Sequence, residues 1–318
     1  NHTGADNRWI KTNPEFFVTD AKGNLQYAFD WSDTRDLDYW NPVLRDSMIH
    51  AMKFWVTETG IDGFRCDVAA EVPRMFWEEA IRQLKQVKPD IFMLAEADVA
   101  WVHDAGFHAS YGWDGFAKMK QVAKGEKSAR VLDTVLRHLD ETFKPGAIKM
   151  YFTSNHDENS WNKADYETMP GPIHAPFAVL TQTWKNTLPL IYSGQEEPHL
   201  DSLSFFYKDT IHFSKFERAP FYKTLLELRK ANPALAVDAD YKKLRTTNDD
   251  AIYAYLRSKG NSKVLVILNL SGAQQQFQLL DAAAAGTYNN VFRTAKETIT
   301  NGAAMQLQPW EYFVCEVR

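Results

Sequence analysis

The apolar positions of this chain follow two rhythms, and the switch between them divides it. Up to about residue 232, short apolar runs alternate with stretches in which apolar residues recur every three to four positions. Behind Asn41-Pro42, with the proline at a permitted first-turn position, Val43, Leu44, Met48, Ala51, Met52 and Trp55 predict a helix to about Thr59. A strand over 61–66 follows. A helix from Pro73 to Lys88 comes next, its buried stripe formed by Met75, Phe76, Ala80, Ile81, Leu84 and Val87, and Pro89 separates it from a strand over 91–95. The pattern then predicts a short strand within 107–110, helices near 116–124 and 128–143, and a strand over 147–153. It closes with a helix over 174–187, a strand over 188–193 with proline near its start, and a helix over 217–231.

Near Asn232-Pro233 the period changes from 3.6 to 2. Alternating runs at 242–246, 251–258, 263–270, 275–280, 288–293 and 311–317, with polar turns such as Lys259-Gly260-Asn261, predict a small antiparallel domain. The alanines at 282–285 read as a loop or a short helical turn. The first 40 residues are polar and rich in turns, yet Trp9, Phe16, Phe17, Tyr27, Phe29 and Trp31 recur through them. That mixture predicts a long ordered loop region.

The ends of the predicted strands carry acids. Gly60-Ile61-Asp62-Gly63-Phe64-Arg65-Cys66-Asp67 is an apolar run ending in charge, and Arg65 and Asp67 share a strand face. Glu96 closes the strand Ile91-Phe92-Met93-Leu94-Ala95, and Asp157 follows the strand that leads into Asn155-His156. Asp67 and Glu96 lie 29 residues apart, close to one strand–helix repeat. Glu96 and Asp157 lie 61 apart, close to two. Acids on strands n, n+1 and n+3 converge on one mouth if the sheet closes into a barrel, whereas an open sheet spreads them. About five of the eight strands of such a barrel can be placed.

Composition narrows the chemistry. Hydrophobic content of 45% and a formal charge of -5 belong to an ordinary globular chain, and no basic stripe is present to neutralise the phosphates of a nucleic acid. No apolar run is long enough to span a membrane. Cys66 and Cys315 lie in different parts of the chain, so a disulfide is not expected, and neither a compartment nor a cellular location is assigned. Three convergent carboxylates with an arginine and a histidine suit either glycosyl transfer or a metal site. The arginine disfavours the metal, because a divalent cation wants oxygen ligands around it. In the glycosyl reading, Asp67 beside Arg65 stays ionised as a nucleophile must. Glu96, with no basic neighbour in its strand, is the proton donor, and Asp157 faces the oxocarbenium-like charge.

These residues also carry a resemblance. Gly63-Phe64-Arg65-Cys66-Asp67-Val68-Ala69, Ala95-Glu96-Ala97 and Phe152-Thr153-Ser154-Asn155-His156-Asp157 resemble the second, third and fourth conserved regions of the alpha-amylase family, glycoside hydrolase family 13. Asn1-His2 resembles the end of its first region, and Leu37-Asp38-Tyr39-Trp40-Asn41-Pro42 an additional region near the end of the domain inserted after the third barrel strand. The resemblance implies a (β/α)8 TIM barrel lacking its first strands over 1–234, with the insertion at 3–40, and an all-β domain, a small antiparallel β-sandwich, over 235–318. It implies Asp67 as nucleophile, Glu96 as acid/base and Asp157 as transition-state stabiliser, with Arg65, His156 and His2 binding the sugar. Trp101 and Trp161, close behind catalytic motifs, are candidate sugar platforms, and Gly194-Gln195-Glu196 resembles the turn after strand eight.

The resemblance further implies a retaining α-1,4-glucan hydrolase acting on starch-like α-glucans or maltooligosaccharides. Transglycosylases and sucrose- or trehalose-acting relatives share the same motifs. A non-catalytic carbohydrate-binding barrel or an inactive piece of an enzyme is the contrasting expectation. No cofactor is required. Calcium stays open, because Ala70 and Glu71 stand where calcium-dependent relatives have a lysine–histidine pair, although Asn1 matches another usual ligand. Val68-Ala69-Ala70-Glu71 looks closer to the neopullulanase and cyclomaltodextrinase branch. A barrel short of strands also leaves an open edge, which is expected to need the lost segment, self-association with a partner copy, or some rearrangement to cover it.

Overall fold

The computed structural model describes residues 1–163 and 171–318. The chain divides into two compact units, Asn1–Tyr111 and Gly112–Arg318.

In the first unit, β1 (His2–Gly4) and β2 (Thr34–Asp36) form an antiparallel ribbon with His2 opposite Asp36. Between them lie the helical turn α1 (Trp9–Thr12) and irregular chain. The ordered loop region thus exists, and it sorts its aromatics. Phe16 and Phe17 are buried, whereas Tyr27, Phe29 and Trp31 are exposed. Helix α2 (Pro42–Thr59) starts where the sequence predicts, because Asn41 Oδ1 accepts the Val43 and Leu44 N–H groups at 2.9 and 3.3 Å. It stops at Gly60, whose φ of 67° is a left-handed cap.

Strand β3 (Gly63–Cys66) leads through α3 (Arg74–Val87) to β4 (Phe92–Ala95), and the single turn α4 (Trp101–Asp104) leads to β5 (Ala109–Tyr111). All three strands are parallel, with Gly63 opposite Phe92 and Ala95 opposite Ser110. Strand β3 is shorter than predicted and begins at Gly63, where a Cβ would sit 2.1 Å from the Phe92 carbonyl oxygen. In α3 the buried stripe is rotated from the expected one. Met75 and Val87 are exposed and Trp77 is buried, its Nε1–H donating to the Ala69 carbonyl at 2.9 Å.

The second unit opens with α5 (Trp113–Ala123), which begins earlier than predicted because Trp113 packs edge-on against Phe152. Helix α6 (Leu132–Thr142) follows, then β6 (Ile148–Tyr151), the almost entirely buried α7 (His174–Thr183), β7 (Thr187–Pro189) and α8 (Ala219–Ala231). Strands β6 and β7 are parallel, with Lys149 opposite Thr187. Strand–helix alternation in both units is that of a partial (β/α)8 barrel.

The antiparallel part follows. Strands β8 (Asp240–Leu244), β9 (Ile252–Lys259), β10 (Ser262–Asn269), β12 (Gly286–Asn290), β13 (Lys296–Ile299) and β15 (Tyr312–Val317) form one sheet in the order β13-β12-β15-β10-β9-β8. Strands β11 (Gln275–Gln278) and β14 (Ala304–Leu307) pair separately, and Ala282–Ala284 make a short helical turn. Strands β13 and β14 escape the sequence pattern, because each is four residues long and mostly polar or exposed. The apolar core of this part gathers Ile252, Leu265, Ile267, Phe277, Leu279 and Leu307.

Candidate active site

The first unit holds one cluster around Arg65. Near the end of β3 its guanidinium reaches three partners. Nη1 lies 2.6 Å from Asp67 Oδ1, Nη2 lies 2.9 Å from Glu96 Oε1, and Nε donates to the Tyr111 hydroxyl at 3.1 Å. The parallel register puts these ends together, since Arg65 lies opposite Leu94 and Cys66 opposite Ala95. Burial works against the Arg65 charge, but the Tyr111 hydroxyl, Glu96 and Asp67 outweigh it and push the net direction upward, so the guanidinium stays charged. Glu96 has no basic neighbour in its own strand, as the sequence indicates, but the adjacent strand supplies Arg65.

Asp67 has half of its side chain open to solvent (52%), while Glu96 is mostly covered (13%). The second Glu96 oxygen, Oε2, accepts the Val68 N–H at 2.8 Å. Val68 holds φ 40° and ψ 48°, a left-handed conformation that a β-branched side chain rarely adopts. The strain sits directly behind Asp67. It turns the backbone so that Val68 meets Glu96 and Ala69 N–H meets the Glu96 carbonyl at 3.1 Å.

His2 belongs to the same unit and lies within electrostatic reach of Asp67. Burial lowers its imidazole below the ordinary value, while Asp67, Asp36 and Asp33 oppose that. Its Nδ1 bonds Asn1 Oδ1 at 2.6 Å, so the asparagine oxygen considered for calcium is engaged by the histidine. Among the described residues, no group of three or more His, Cys, Asp or Glu side chains is gathered for a metal ion. Trp101 is half-buried and packs against the core of the unit.

The second unit carries the Asp157 region. Asn155 is buried, and its Oδ1 accepts the N–H groups of Asp157 (3.0 Å) and Glu158 (2.8 Å), which sets the turn that presents His156 and Asp157. His156 Nε2 lies 3.3 Å from Asp157 Oδ2. Gln195, also buried, donates to Thr153 Oγ1 at 2.8 Å and accepts the Tyr192 N–H at 2.9 Å. Gly194-Gln195-Glu196 thus ties the chain after β7 to the end of β6. Burial, and then the charge of Asp157, raise the Tyr192 hydroxyl above its ordinary value, which puts that phenol near the acid. Trp161 is exposed (57%) and packs on Phe205 at 4.7 Å and Phe206 at 5.9 Å between ring centres.

Tyr111 and Tyr192 are the site neighbours that sequence reasoning passed over. Tyr111 ends a three-residue strand, and only the register of β5 brings its hydroxyl to Arg65. No local signal separates either tyrosine from the many that fill the core.

Comparison with known proteins places these residues in context. Residues 15–261 match the family described as alpha amylase, catalytic domain, and residues 252–314 match the alpha-amylase SusG C-terminal domain. The chain is 24% identical over 295 residues to the maltogenic alpha-amylase of Bacillus acidopullulyticus, covering 87% of this chain and 48% of that one. It is 28% identical over 264 residues to a cyclomaltodextrinase of a Bacillus species, covering 77% and 45%. It therefore spans about half the length of these curated relatives. The crystal structure of a noncanonic maltogenic alpha-amylase from Thermotoga neapolitana superposes with a TM-score of 0.87 at 27% identity, covering 99% of this chain and 75% of that one. The carboxylates at the strand ends, the partial barrel and the β domain behind it agree with these matches, and the chain belongs to the alpha-amylase family, glycoside hydrolase family 13.

Proposed function

We propose that the protein hydrolyses α-1,4-glucosidic bonds with retention, through a covalent glucosyl intermediate on Asp67. The observation that carries this is the shared guanidinium. One arginine holds both Asp67 and Glu96, which keeps the two carboxyl groups close and favours the retaining separation of about 5–5.5 Å over the wider inverting one. Asp67, the more open of the two, is the nucleophile. Glu96 protonates the leaving oxygen and then deprotonates the incoming water. Asp157 is the carboxylate that stabilises the oxocarbenium-like charge, with His156 and His2 hydrogen-bonding the sugar and Trp161 as a sugar platform. Calcium supplies no step in this reading. Whether water or a second sugar takes the glucosyl group depends on what reaches the intermediate.

The test is incubation with maltoheptaose and, separately, with a fluoroglucosyl inactivator, followed by intact-mass and peptide analysis. The expected result is one glucosyl adduct on Asp67, a ladder of shorter maltooligosaccharides, and a loss of roughly 10⁴-fold or more in kcat for Asp67→Asn. Undiminished cleavage by Asp67→Asn would overturn the proposal.

A further inference from the structure

The first unit exposes an aromatic pair that the catalytic assignment leaves unused. Phe29 (55% exposed) and Trp31 (39%) lie with ring centres 4.8 Å apart, and the Trp31 ring meets the His2 ring edge-on at 5.3 Å. His2 in turn feels the charge of Asp67. The pair thus packs on the imidazole that lies within electrostatic reach of the proposed nucleophile.

It is also held in place. Trp31 N–H donates to the Ala28 carbonyl at 3.1 Å, and Thr34 N–H and Oγ1 donate to the Trp31 carbonyl at 3.0 and 2.8 Å. Ala28 N–H donates to Thr34 Oγ1 at 3.1 Å, and Ala28 and Thr34 are both buried. Phe29 itself adopts φ 54°, a conformation that a bulky side chain holds only when its surroundings impose it. The same loop region buries Phe16 and Phe17. Core space for aromatics therefore exists nearby, yet these two rings are fixed outside it. Scattered exposed aromatics need no explanation, but a clamped, strained pair packed on His2 does.

We propose that Phe29 and Trp31 form a stacking platform for a glucosyl ring of the α-glucan, and so decide which chain lengths the enzyme prefers. The apolar faces of a pyranose suit a flat aromatic surface, and two rings with few rotatable bonds bind it at low entropic cost. This rests on the glucan-cleaving reading above.

Two measurements separate the inference from that reading. The first is binding of maltoheptaose to the catalytically silent Asp67→Asn protein by titration calorimetry, with and without Trp31→Ala and Trp31→Leu. The expected result is about tenfold weaker binding for both, recovery in Trp31→Tyr, and unchanged melting temperature and circular dichroism. Rescue by an aromatic but not by leucine is what a merely structural role would not produce. The second is kcat/KM on maltoheptaose against an activated single-residue glucosyl fluoride. Phe29→Ala and Trp31→Ala should depress the first about tenfold and leave the second within about twofold. Equal losses on both substrates, or unaltered maltoheptaose binding, would overturn the platform while leaving the nucleophile assignment intact. Failure of Asp67→Asn to affect the glucosyl fluoride would overturn the underlying reading instead.

Discussion

Two acids at strand ends, Asp67 and Asp157, are fixed by opposite means. Asp67 is held through its side chain, by an arginine that also grips Glu96 and Tyr111, on a backbone bent into a left-handed residue at Val68. Asp157 is held through its backbone, by the Asn155 side chain that accepts its N–H, while its carboxylate meets the exposed His156. In the mechanism proposed above, the reacting oxygen of Asp67 needs a set charge and direction, which a forked guanidinium supplies. The carboxylate of Asp157, stabilising passing charge in that mechanism, needs only a fixed position, which a turn supplies. The two anchorings should therefore fail differently.

The largest difference is expected from Arg65→Lys. An ammonium is a single point of charge and cannot hold three partners in one plane, so kcat/KM should fall by roughly 10²-fold or more with little change in melting temperature. Steady-state kinetics beside calorimetry checks this. A loss below about threefold would mean that the fork is dispensable and that the contrast drawn here is wrong.

Asn155→Ala probes the other anchoring. It removes the acceptor for the Asp157 and Glu158 N–H groups and should cost about 1 kcal/mol, the usual loss for a capping side chain. Chemical denaturation measures that cost. Activity should fall too, but mainly in kcat, since the acid is displaced rather than removed.

The smallest effect is expected at a supporting loop. Glu197 accepts the N–H groups of Ser214, Lys215 and Phe216 and the Ser214 hydroxyl. The Ser214 and Lys215 N–H groups lead in holding its carboxyl down, to about 2. A carboxyl whose folded value is depressed stabilises fully above its unfolded value, near 4.3 for glutamate, and loses that contribution as pH falls through about 2. Protection of the amides at residues 214–216, the intrinsic exchange rate at each pH divided by the observed one, should therefore fall across that acid window in the wild type. In Glu197→Gln it should already be lower at neutral pH and change little across the window. A wild-type protection profile that itself does not change would remove Glu197 as the anchor.

The parts of the fold legible in advance were those with strong local causes. Asn41-Pro42 and Gly60 bound α2 because capping is a matter of a few adjacent residues. The apolar runs before Asp67, Glu96 and Asp157 place those acids at strand ends, and the change of period near residue 232 announces the antiparallel sheet. What failed had weak local causes. The stripe of α3 depends on which face its neighbours cover, and β13 and β14 are too short and polar to declare themselves. Trp113 reads as loop until Phe152 gives it a partner.

The sequence by itself pointed to the family, to most of the alternation of strands and helices, and to three candidate carboxylates, because motifs and periodicity act over a few residues. Only the tertiary structure decided what each charge touches. It gave Glu96 its arginine from the neighbouring strand, clamped Phe29 and Trp31 outside the core, and buried Arg257 against the carbonyls of Thr183, Trp184, Ala236, Ala239 and Asp240, where burial lowers its pKa to about 10. Such partners lie up to 74 residues apart in the chain. Strand register and packing bring them together, and neither is written in any one stretch of residues.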